Sequence, residues 1–410
     1  MTHRVVVTGA AGITGLGSDW PAVFEGLKAQ KNCVQTLPAF AEIRGLNSHL
    51  GAPAAPFELP AYYTRKRTRT MGRNALLAVR ATDLALEHAG LRGDPILKSG
   101  RAGVSYGSSS GSSAALEEMA HVRVSKTARR INATSYVRMM SHTAAANISR
   151  FFGLKGRVIP TISACTAGSQ GIGYGFEAIH YGLQDIMVTG GSEELCPSHA
   201  GVFDVLYATS TLNDHPEQTP RPFDARRDGL VVGEGAGTLV LESLDHARAR
   251  GATILAELTG YATNSDGNHV TRPDRASMAR VMAEALASAG LEADDIDYVN
   301  AHGTATSAGD VAESNATAEL FGDRVPVASL KSYFGHTLGA CGAIEAWLSI
   351  EMMREGWFAP NLNLDEVDPE CGDLDYIREA GRALEIRRLM SNNFAFGGIN
   401  TSLIFERFPG

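Results

Sequence analysis

Cysteine is scarce in this sequence, and no two cysteines lie close together. The five cysteines, at positions 33, 165, 196, 341 and 371, form no CxxC motif. Their spacing fits neither a disulfide framework nor a zinc site. Such usage is typical of a reducing compartment, so we expect a cytoplasmic protein.

Long apolar runs, an excess of positive charge and metal-ligand spacings are also missing. No stretch is long enough to span a bilayer, and no apolar core of a signal peptide follows Arg4, so we expect no membrane association. The net charge of −8 over 410 residues argues against a general nucleic-acid binder. No HExxH-like spacing occurs, so we expect no catalytic metal.

What the sequence does have is an alternation of strand-like and helix-like segments. The first half is predicted to hold strands at 4–9, 102–108, 158–164, 185–191 and 237–242, with a helix at 73–91. The second half repeats the order, with strands at 254–262, 297–304, 325–332 and 401–406 and helices at 282–291 and 337–353. This matched order predicts an α/β protein of two duplicated halves, residues 1–250 and 251–410, each with a mostly parallel sheet.

The first half is longer than the second by a segment at about 112–150. An extra segment of that kind usually carries function or an interface rather than core. We therefore expect this insertion to contribute to binding.

Cys165, in TISACTAGSQGIGYGFEAI, lies between a predicted strand and a helix predicted to begin at Thr166. A helix N-terminus lowers a thiol pKa, and its free amides can stabilise an oxyanion. The small residues at 167, 171 and 175 share one helix face, on which the segment around Ala340 to Ala343 could pack. From this segment alone, a small buried side chain is the commoner role for such a cysteine.

Two histidines lie where predicted strands end in glycine-flanked turns. His302 lies in NAHGTATSAGD, and His336 in SLKSYFGHTLGA, five residues after Lys331. Pseudo-twofold packing of the halves would bring the His336 turn opposite Cys165. The set predicts an active site rather than structural histidines.

Five segments carry a resemblance to a known family. They are SACTAGSQ around Cys165, RPFDARRDGLVVGEGAGTLVLE at 221–242, NAHGTATSAGDVAE at 300–313, SLKSYFGHTLGACGA at 329–343 and SNNFAFGGINTSLIF at 391–405. Together and in this order, they resemble the elongating β-ketoacyl-acyl-carrier-protein synthases of type II, in the thiolase-like superfamily. The resemblance covers nearly the whole chain and implies two α/β halves stacked as five layers, αβαβα.

The resemblance also implies the reaction. Cys165 would hold an acyl chain as a thioester, while His302 and His336 would polarise a malonyl thioester and promote loss of carbon dioxide. The carbanion would then attack the acyl-cysteine and give a 3-oxoacyl chain two carbons longer. The phosphopantetheine arm of an acyl carrier protein would bring both substrates, with no cofactor bound to the chain itself.

Further residues receive roles from the same resemblance. The amides of Cys165 and Phe396 would form the oxyanion hole, and Lys331 and Glu313 would tune and orient the histidines. Phe396 would also gate the site between acylation and condensation. The residues expected to contact the arm or the substrate are Thr304, Thr306, Gly397 and Asn400. A homodimer is expected from the family.

Other interpretations are weaker. TGAAGITGLG (8–17) lacks the GxGxxG spacing, so we expect a turn and a buried contact rather than a nucleotide site. A biosynthetic thiolase would need a second cysteine in SNNFAFGGIN, and a priming synthase would usually pair one histidine with an asparagine. The alternatives kept are a non-elongating thiolase-like acyltransferase and a chain-length partner subunit, although the latter type lacks the nucleophile.

Basic residues form two groups that could dock an acidic carrier protein. They are Arg65, Lys66, Arg67 and Arg69 in the first group, and Arg123, Lys126, Arg129 and Arg130 in the second. Charge runs are usually only a solvated face. Leu212 stands where the family often has a basic residue, so the docking surface is expected to differ from the family pattern.

The acyl chain itself is indicated by Ser110, in YGSSSG. This serine falls where fatty-acid enzymes place a bulky aliphatic residue at the pocket floor. The small polar serines around it favour an unsaturated or aryl-bearing chain, as in the synthases of polyene pigment pathways. The sequence also resembles those synthases in SYVRMMSHT and MSNNFAFGGINTS.

Overall fold

The computed structural model describes residues 2–409, and both halves of the chain consist of strands and helices in alternation. The strands of the first half are β1 (Val5–Ile13), β2 (Gln35–Thr36), β3 (Leu50–Gly51), β4 (Ala102–Gly107), β5 (Val158–Thr161), β6 (Ile186–Glu193) and β7 (Gly235–Ser243). Its helices are α1 (Trp20–Lys28), α2 (Pro38–Ala41), α3 (Arg65–Thr68), α4 (Arg73–His88), α5 (Ser113–Ser125), α6 (Ala133–Met139), α7 (Thr143–Phe152), α8 (Ala167–His180), α9 (Pro197–Asp204) and α10 (Leu244–Ala249).

The second half is shorter. Its strands are β8 (Ala256–Ser265), β9 (Tyr298–Asn300), β10 (Pro326–Ala328), β11 (Trp357–Phe358), β12 (Asp375–Tyr376), β13 (Arg382–Ala383), β14 (Arg388–Phe394) and β15 (Ile399–Glu406). Its helices are α11 (Arg275–Ala289), α12 (Ser307–Phe321), α13 (Lys331–Phe334) and α14 (Cys341–Glu355). Short 3-10 helices occur at Pro95–Lys98, Ala164–Thr166, Pro216–Gln218, Ala293–Asp295 and Leu338–Ala340.

The two halves share one strand order. The long sheet runs β12-β10-β9-β14-β15-β8-β1-β7-β6-β4-β5, and the halves meet where β1 pairs antiparallel with β8. Outward from that junction, β1-β7-β6-β4-β5 corresponds strand for strand to β8-β15-β14-β9-β10. The predicted duplication is therefore confirmed.

The expectation of mostly parallel sheets is wrong in detail. In the first half, β4 pairs parallel with β5 and β6, whereas β7 pairs antiparallel with β6 and β1. The second half has the same mixture, with a tight β14–β15 hairpin. Of the antiparallel pairs in the long sheet, only β14–β15 joins consecutive strands without an intervening helix.

Five layers result from this topology. Helices α8 and α14 lie against each other between the first-half strands and the second-half strands of the long sheet, called the first and the second sheet below. Helices α4 and α7 lie outside the first sheet, and α11 and α12 lie outside the second. Every residue of α14 from Cys341 to Met353 is buried, as expected for a helix surrounded on all sides. The predicted αβαβα architecture is confirmed.

The glycines of α8 fit it into this middle layer, although not as predicted. A Cβ on Gly168 would lie 2.9 Å from the Gly339 carbonyl oxygen and 3.2 Å from the Ala343 Cβ, so Gly168 marks the crossing with α14. Gly171 and Gly175 instead face the strands of the first sheet, at Gly190 and Thr189. The face 167/171/175 therefore packs on a sheet, because the helix is covered on more than one side.

Two other local predictions change. Residues 8–13 belong to β1 rather than to a turn, and a Cβ on Gly12 would lie 2.4 Å from the Trp347 ring, so this glycine allows close packing. Only Thr14 to Gly17 turns. Within the predicted insertion, α7 packs on α4 and β4 as part of the core, while α5 and α6 pack on each other.

Over residues 2–409, no helix has the length and apolarity needed to cross a membrane.

Candidate active site

A cavity of about 320 Å³ opens at the surface and is lined by residues from both halves of the chain. Its lining includes Cys165 from the first half and His302 and His336 from the second. All three side chains are at least nine-tenths buried. The cavity is therefore where the three residues singled out from the sequence meet.

Cys165 is presented by a strained turn. It lies in the 3-10 helix Ala164–Thr166, between β5 and α8, and Ala164 has a left-handed backbone with φ +50°. Such a conformation is uncommon for a residue other than glycine and clusters at functional sites. The turn aims the thiol into the cavity rather than into the core.

Both imidazoles lie beside the thiol. The Nε2 atom of His336 is 3.0 Å from the Cys165 Sγ, and the rings of His302 and His336 are 5.1 Å apart and nearly perpendicular. The sulfur and one nitrogen of each ring lie within 4.8 Å of one another, a spacing that could also hold a soft metal ion.

The pKa of the thiol differs from the sequence-based expectation. Burial raises the pKa of Cys165 to about 11, although the charge of Lys331 and the backbone N–H groups of Phe396 and Cys165 itself lower it. The expectation of a lowered thiol pKa is wrong, because desolvation outweighs the helix terminus. Both of these N–H groups are directed at the Cys165 sulfur.

Both histidines are kept neutral by their surroundings. Burial, together with the positive charge of Lys331, holds the pKa of His302 and His336 well below the usual range. Neutral imidazoles can accept one proton or donate one hydrogen bond each at neutral pH. The site can therefore polarise an oxygen without carrying a charge on either ring.

Lys331 is held by a partner that the sequence analysis missed. Its ammonium forms a buried ion pair with Glu345, on the first turns of α14. The other Glu345 oxygen accepts a hydrogen bond of 2.8 Å from Asn393 Nδ2, which lies 3.4 Å from His302 Nδ1. A lone glutamate in the apolar run CGAIEAWLSI was the available signal for Glu345.

Glu313 contacts the backbone rather than an imidazole ring. Its carboxylate accepts hydrogen bonds of 2.6 and 2.7 Å from the backbone N–H groups of His302 and Gly303. Burial raises the pKa of Glu313 to about 8. The side chain thus fixes the turn that carries His302 and acts on the ring only through that turn.

Of the residues expected to contact the substrate, some line the cavity and others lie outside it. Thr304, Thr306 and Asn400 line the cavity, and the hydroxyls of the two threonines are 3.0 Å apart. Phe396 also lines it, with its ring 5.2 Å from that of Phe203. Gly397 is exposed and does not line the cavity, and its N–H donates to the Val270 carbonyl.

Ser110 lies outside this cavity. Its Oγ is 3.0 Å from the Nε2 of His199, on α9. His199 and Phe203 are four residues apart on that helix and thus share a face. Ser110 is therefore one helical turn beyond the cavity, and the sequence analysis missed His199 as its partner.

The two basic groups occupy other surfaces. Of the described residues that line the cavity, none belongs to either group. Arg67 is already engaged, since its guanidinium lies 3.7 Å above the Phe151 ring and donates to the Phe151 carbonyl. The second group is exposed at the end of α5 and in the loop that follows.

Comparison with known proteins places this geometry in a family. Residues 2–247 match the model of the β-ketoacyl synthase N-terminal domain, and residues 255–365 that of the C-terminal domain. The 3-oxoacyl-(acyl-carrier-protein) synthase 1 of Haemophilus influenzae is 35% identical over 100% of both chains. Synthase 2 of Synechocystis is 36% identical over 99% of this chain and 98% of its own.

The solved structures that resemble this chain include members of the same family. A β-ketoacyl synthase from Burkholderia phymatum superposes with a TM-score of 0.98 at 56% identity, over 99% of this chain and 100% of that one. A type II polyketide synthase acyl-carrier protein in complex with its ketosynthase, bound to the hexaketide, matches with a TM-score of 0.89 at 29% identity over 100% of both chains.

Proposed function

The chain belongs to the β-ketoacyl synthase family, and we propose that it elongates an acyl chain held on Cys165 by decarboxylative condensation with a malonyl thioester. As a β-ketoacyl-acyl-carrier-protein synthase, it takes its substrates from the phosphopantetheine arm of an acyl carrier protein. The observation that carries the residue assignment is the contact of 3.0 Å between the Cys165 Sγ and the His336 Nε2, with the His302 ring beside it.

Acylation comes first. The Cys165 thiol gives its proton to the neutral His336 Nε2 as the sulfur attacks the thioester carbonyl. The developing oxyanion accepts hydrogen bonds from the N–H groups of Cys165 and Phe396. The bond to the arm's sulfur then breaks, and that sulfur leaves with the proton from His336.

Condensation follows on the same atoms. Before this step the neutral His336 ring changes tautomer, so that its proton lies on Nε2 instead of Nδ1. His302 and His336 then donate hydrogen bonds to the malonyl thioester oxygen while the bond to the carboxylate breaks, so its electron pair remains on the α-carbon and carbon dioxide leaves. The carbanion attacks the acyl carbon, and the Cys165 sulfur departs as a thiolate that takes up a proton from solvent. Lys331 and Glu313 act as positioning residues, through charge and through the His302 turn respectively.

The acyl-enzyme step tests the proposal. Wild-type protein and the Cys165→Ala variant are incubated with an acyl carrier, and intact mass is measured. An acyl adduct is expected on the wild type alone. An adduct of equal yield on the variant, or none on either, would overturn the assignment of Cys165.

The acyl chain is proposed to be unsaturated or aryl-bearing. This proposal is supported by the polar character of the region one helical turn beyond the cavity, where Ser110 and His199 form a hydrogen-bonded pair. An aliphatic wall at that place would favour saturated chains. Turnover of saturated and conjugated polyenoyl carriers can be compared directly. Equal or better turnover of the saturated chains would contradict the proposal.

A homodimer is proposed on the basis of β5. Among the described residues this strand pairs only with β4, and both Val158, in the strand, and Ile162, directly after it, are exposed. An unpaired apolar edge readily pairs with another strand. Light scattering should give a dimer mass for the wild type and a monomer mass for Val158→Asp.

A cytoplasmic location is also proposed, and the free cysteines support it.

A further inference from the structure

Asn393, on β14, lies between the buried ion pair and one imidazole of the site. Its side chain is completely buried and does not line the cavity. The Nδ2 atom lies 2.8 Å from Glu345 Oε2, 3.4 Å from His302 Nδ1 and 3.6 Å from Cys341 Sγ. The amide therefore contacts the His302 ring from outside the cavity.

The charge of Glu345 determines which end of the amide faces it. Because Glu345 is ion-paired with Lys331, its carboxylate can only accept hydrogen bonds. The amide nitrogen is the donor end of an asparagine, whereas the amide oxygen would be repelled by the carboxylate. Nδ2 of Asn393 therefore points at Glu345, and Oδ1 is buried on the other side without a hydrogen-bond partner.

The second hydrogen of Nδ2 is left for His302. A bare ring nitrogen is a better acceptor than a thiol sulfur, so this hydrogen is donated to Nδ1 in preference to Cys341. Contacts of this length are common in empty enzymes and shorten when the substrate binds. A neutral imidazole that accepts at Nδ1 carries its proton on Nε2. Asn393 thus gives the ring a donor on the side where Glu345 has only acceptors.

A proton on Nε2 is what the condensation step requires of His302. Among the described residues, Asn393 is the only hydrogen-bond partner of this ring. Nε2 is therefore free to donate to the malonyl thioester oxygen in the cavity that the ring lines. If the proton were on Nδ1 instead, Nε2 would be bare and could not donate.

His336 provides the contrast. Within residues 2–409 its Nδ1 atom is buried without a partner, while its Nε2 atom contacts the Cys165 Sγ. No side chain therefore fixes the tautomer of this ring, which accepts the thiol proton in one step and donates a hydrogen bond in another. His302 only donates, and it is the ring whose tautomer is held.

We propose that Asn393 is a positioning residue that keeps the proton of His302 on Nε2. The proposal rests on the proposed function, which supplies the decarboxylation step. Without the amide, the Glu345 carboxylate would favour a proton on Nδ1. A wrong tautomer at a catalytic imidazole lowers kcat by up to about 10⁴-fold, so the position of this proton matters for the rate.

The tautomer can be measured on the substrate-free protein. Long-range proton–nitrogen NMR with isotope-labelled histidine distinguishes a protonated ring nitrogen from a bare one, and the His302 signal is identified by its loss in His302→Ala. The wild type should carry the proton on Nε2 alone. In Asn393→Ser the Oγ takes the place of the amide carbon and does not reach the ring, so part of the protein should carry the proton on Nδ1. Asn393→Ala should behave in the same way.

The same substitution should separate the two chemical steps. With malonyl carried by an acyl carrier protein, Asn393→Ser should lower kcat for decarboxylation about 10–100-fold and leave KM within about twofold, since only the donor in the transition state is lost. Acylation of Cys165 depends on His336 and should proceed at close to the wild-type rate.

Asn392→Ser is the matched control. Asn392 is the neighbouring asparagine of β14 and is equally buried, but successive side chains of a strand point to opposite faces. Its Nδ2 lies 3.2 Å from the Met282 Sδ. Asn392→Ser should therefore leave both the His302 tautomer and kcat for decarboxylation within about twofold of the wild type.

Several outcomes would overturn the proposal. A proton that stays on Nε2 alone in Asn393→Ser would show that the amide does not hold it. An equal loss of kcat in both asparagine variants, or an equal loss of acylation and decarboxylation in Asn393→Ser, would give Asn393 a purely structural role. Failure of the wild type to release carbon dioxide from the malonyl carrier would instead refute the proposed function, and the NMR result would still decide the role of Asn393.

Discussion

The two central helices, α8 and α14, begin in the same way and serve different purposes. Each follows a 3-10 helix whose first residue is left-handed, Ala164 with φ +50° in one half and Leu338 with φ +47° in the other. The second residue of each turn is Cys165 or Gly339. A Cβ on Gly339 would lie 2.7 Å from the Ser109 backbone nitrogen, so only one turn has room for a nucleophile.

The other polar side chains around the thiol come from the second half. Counted from the helix start, the fifth residue is Gly171 in α8 and Glu345 in α14, and only the latter forms a buried ion pair. Both imidazoles, Lys331 and Glu313 come from the same half. The comparison teaches that the duplicated scaffold places the thiol in one copy and the surrounding titratable groups, the two imidazoles, Lys331 and Glu313, in the other.

The largest expected effect comes from separating the two imidazoles. His302→Ala and His336→Ala should each slow malonyl decarboxylation about 10²–10⁴-fold. Because only His336 contacts the thiol, His302→Ala should still form the acyl-enzyme at close to the wild-type rate. Stopped-flow release of carbon dioxide and intact mass measure the two steps. Equal loss of acylation in both variants would contradict this division.

The next effect is on stability and concerns the buried pair of α14. Glu345→Gln leaves the Lys331 ammonium buried without its counter-charge and should lower the free energy of unfolding by about 3–5 kcal/mol. The control is Glu319→Gln, which breaks an exposed pair with Arg275 and should cost about 0–1 kcal/mol. Denaturant unfolding measures both, and similar losses would refute the role of burial.

A smaller effect should come from the packing of α8. A Cβ on Gly173 would lie 2.1 Å from the ring of buried Tyr261, so Gly173→Ala should destabilise the fold by about 1–3 kcal/mol. In Gly201→Ala the new Cβ would have its nearest neighbour 4.0 Å away, within α9, and the change should be neutral or stabilising. Thermal unfolding of the two variants measures these changes in stability. A tolerated Gly173→Ala would show slack between α8 and the second sheet.

The last prediction concerns how the reactivity of the Cys165 thiol depends on pH. With a pKa of about 11, Cys165 is protonated at neutral pH, so its thiolate fraction rises about tenfold per pH unit. Alkylation of Cys165 by iodoacetamide, followed by peptide mass analysis, should therefore accelerate about 100-fold from pH 7 to pH 9. A plateau below pH 8 would mean that His336 already holds the proton.

Most of the architecture was predictable because it depends on local pattern. Apolar runs gave the strands, and the ends of segments such as 73–91 and 237–242 were predicted to within a few residues. The meeting of Cys165 with His336 followed from the matched order of the halves. The exceptions were positions where more than one neighbour decides, such as Gly171, whose partner is a strand rather than a helix.

The amino-acid order by itself predicted the alternating strands and helices and the two matched halves, because periodicity is a property of neighbouring residues. The resemblance carried by its motifs implied the five layers and singled out Cys165, His302 and His336 as candidate site residues. Only the folded arrangement decided that Glu345 neutralises Lys331, that Glu313 binds backbone amides, and that the thiol keeps its proton. These outcomes depend on desolvation and on distances between groups far apart along the chain, which no linear pattern specifies.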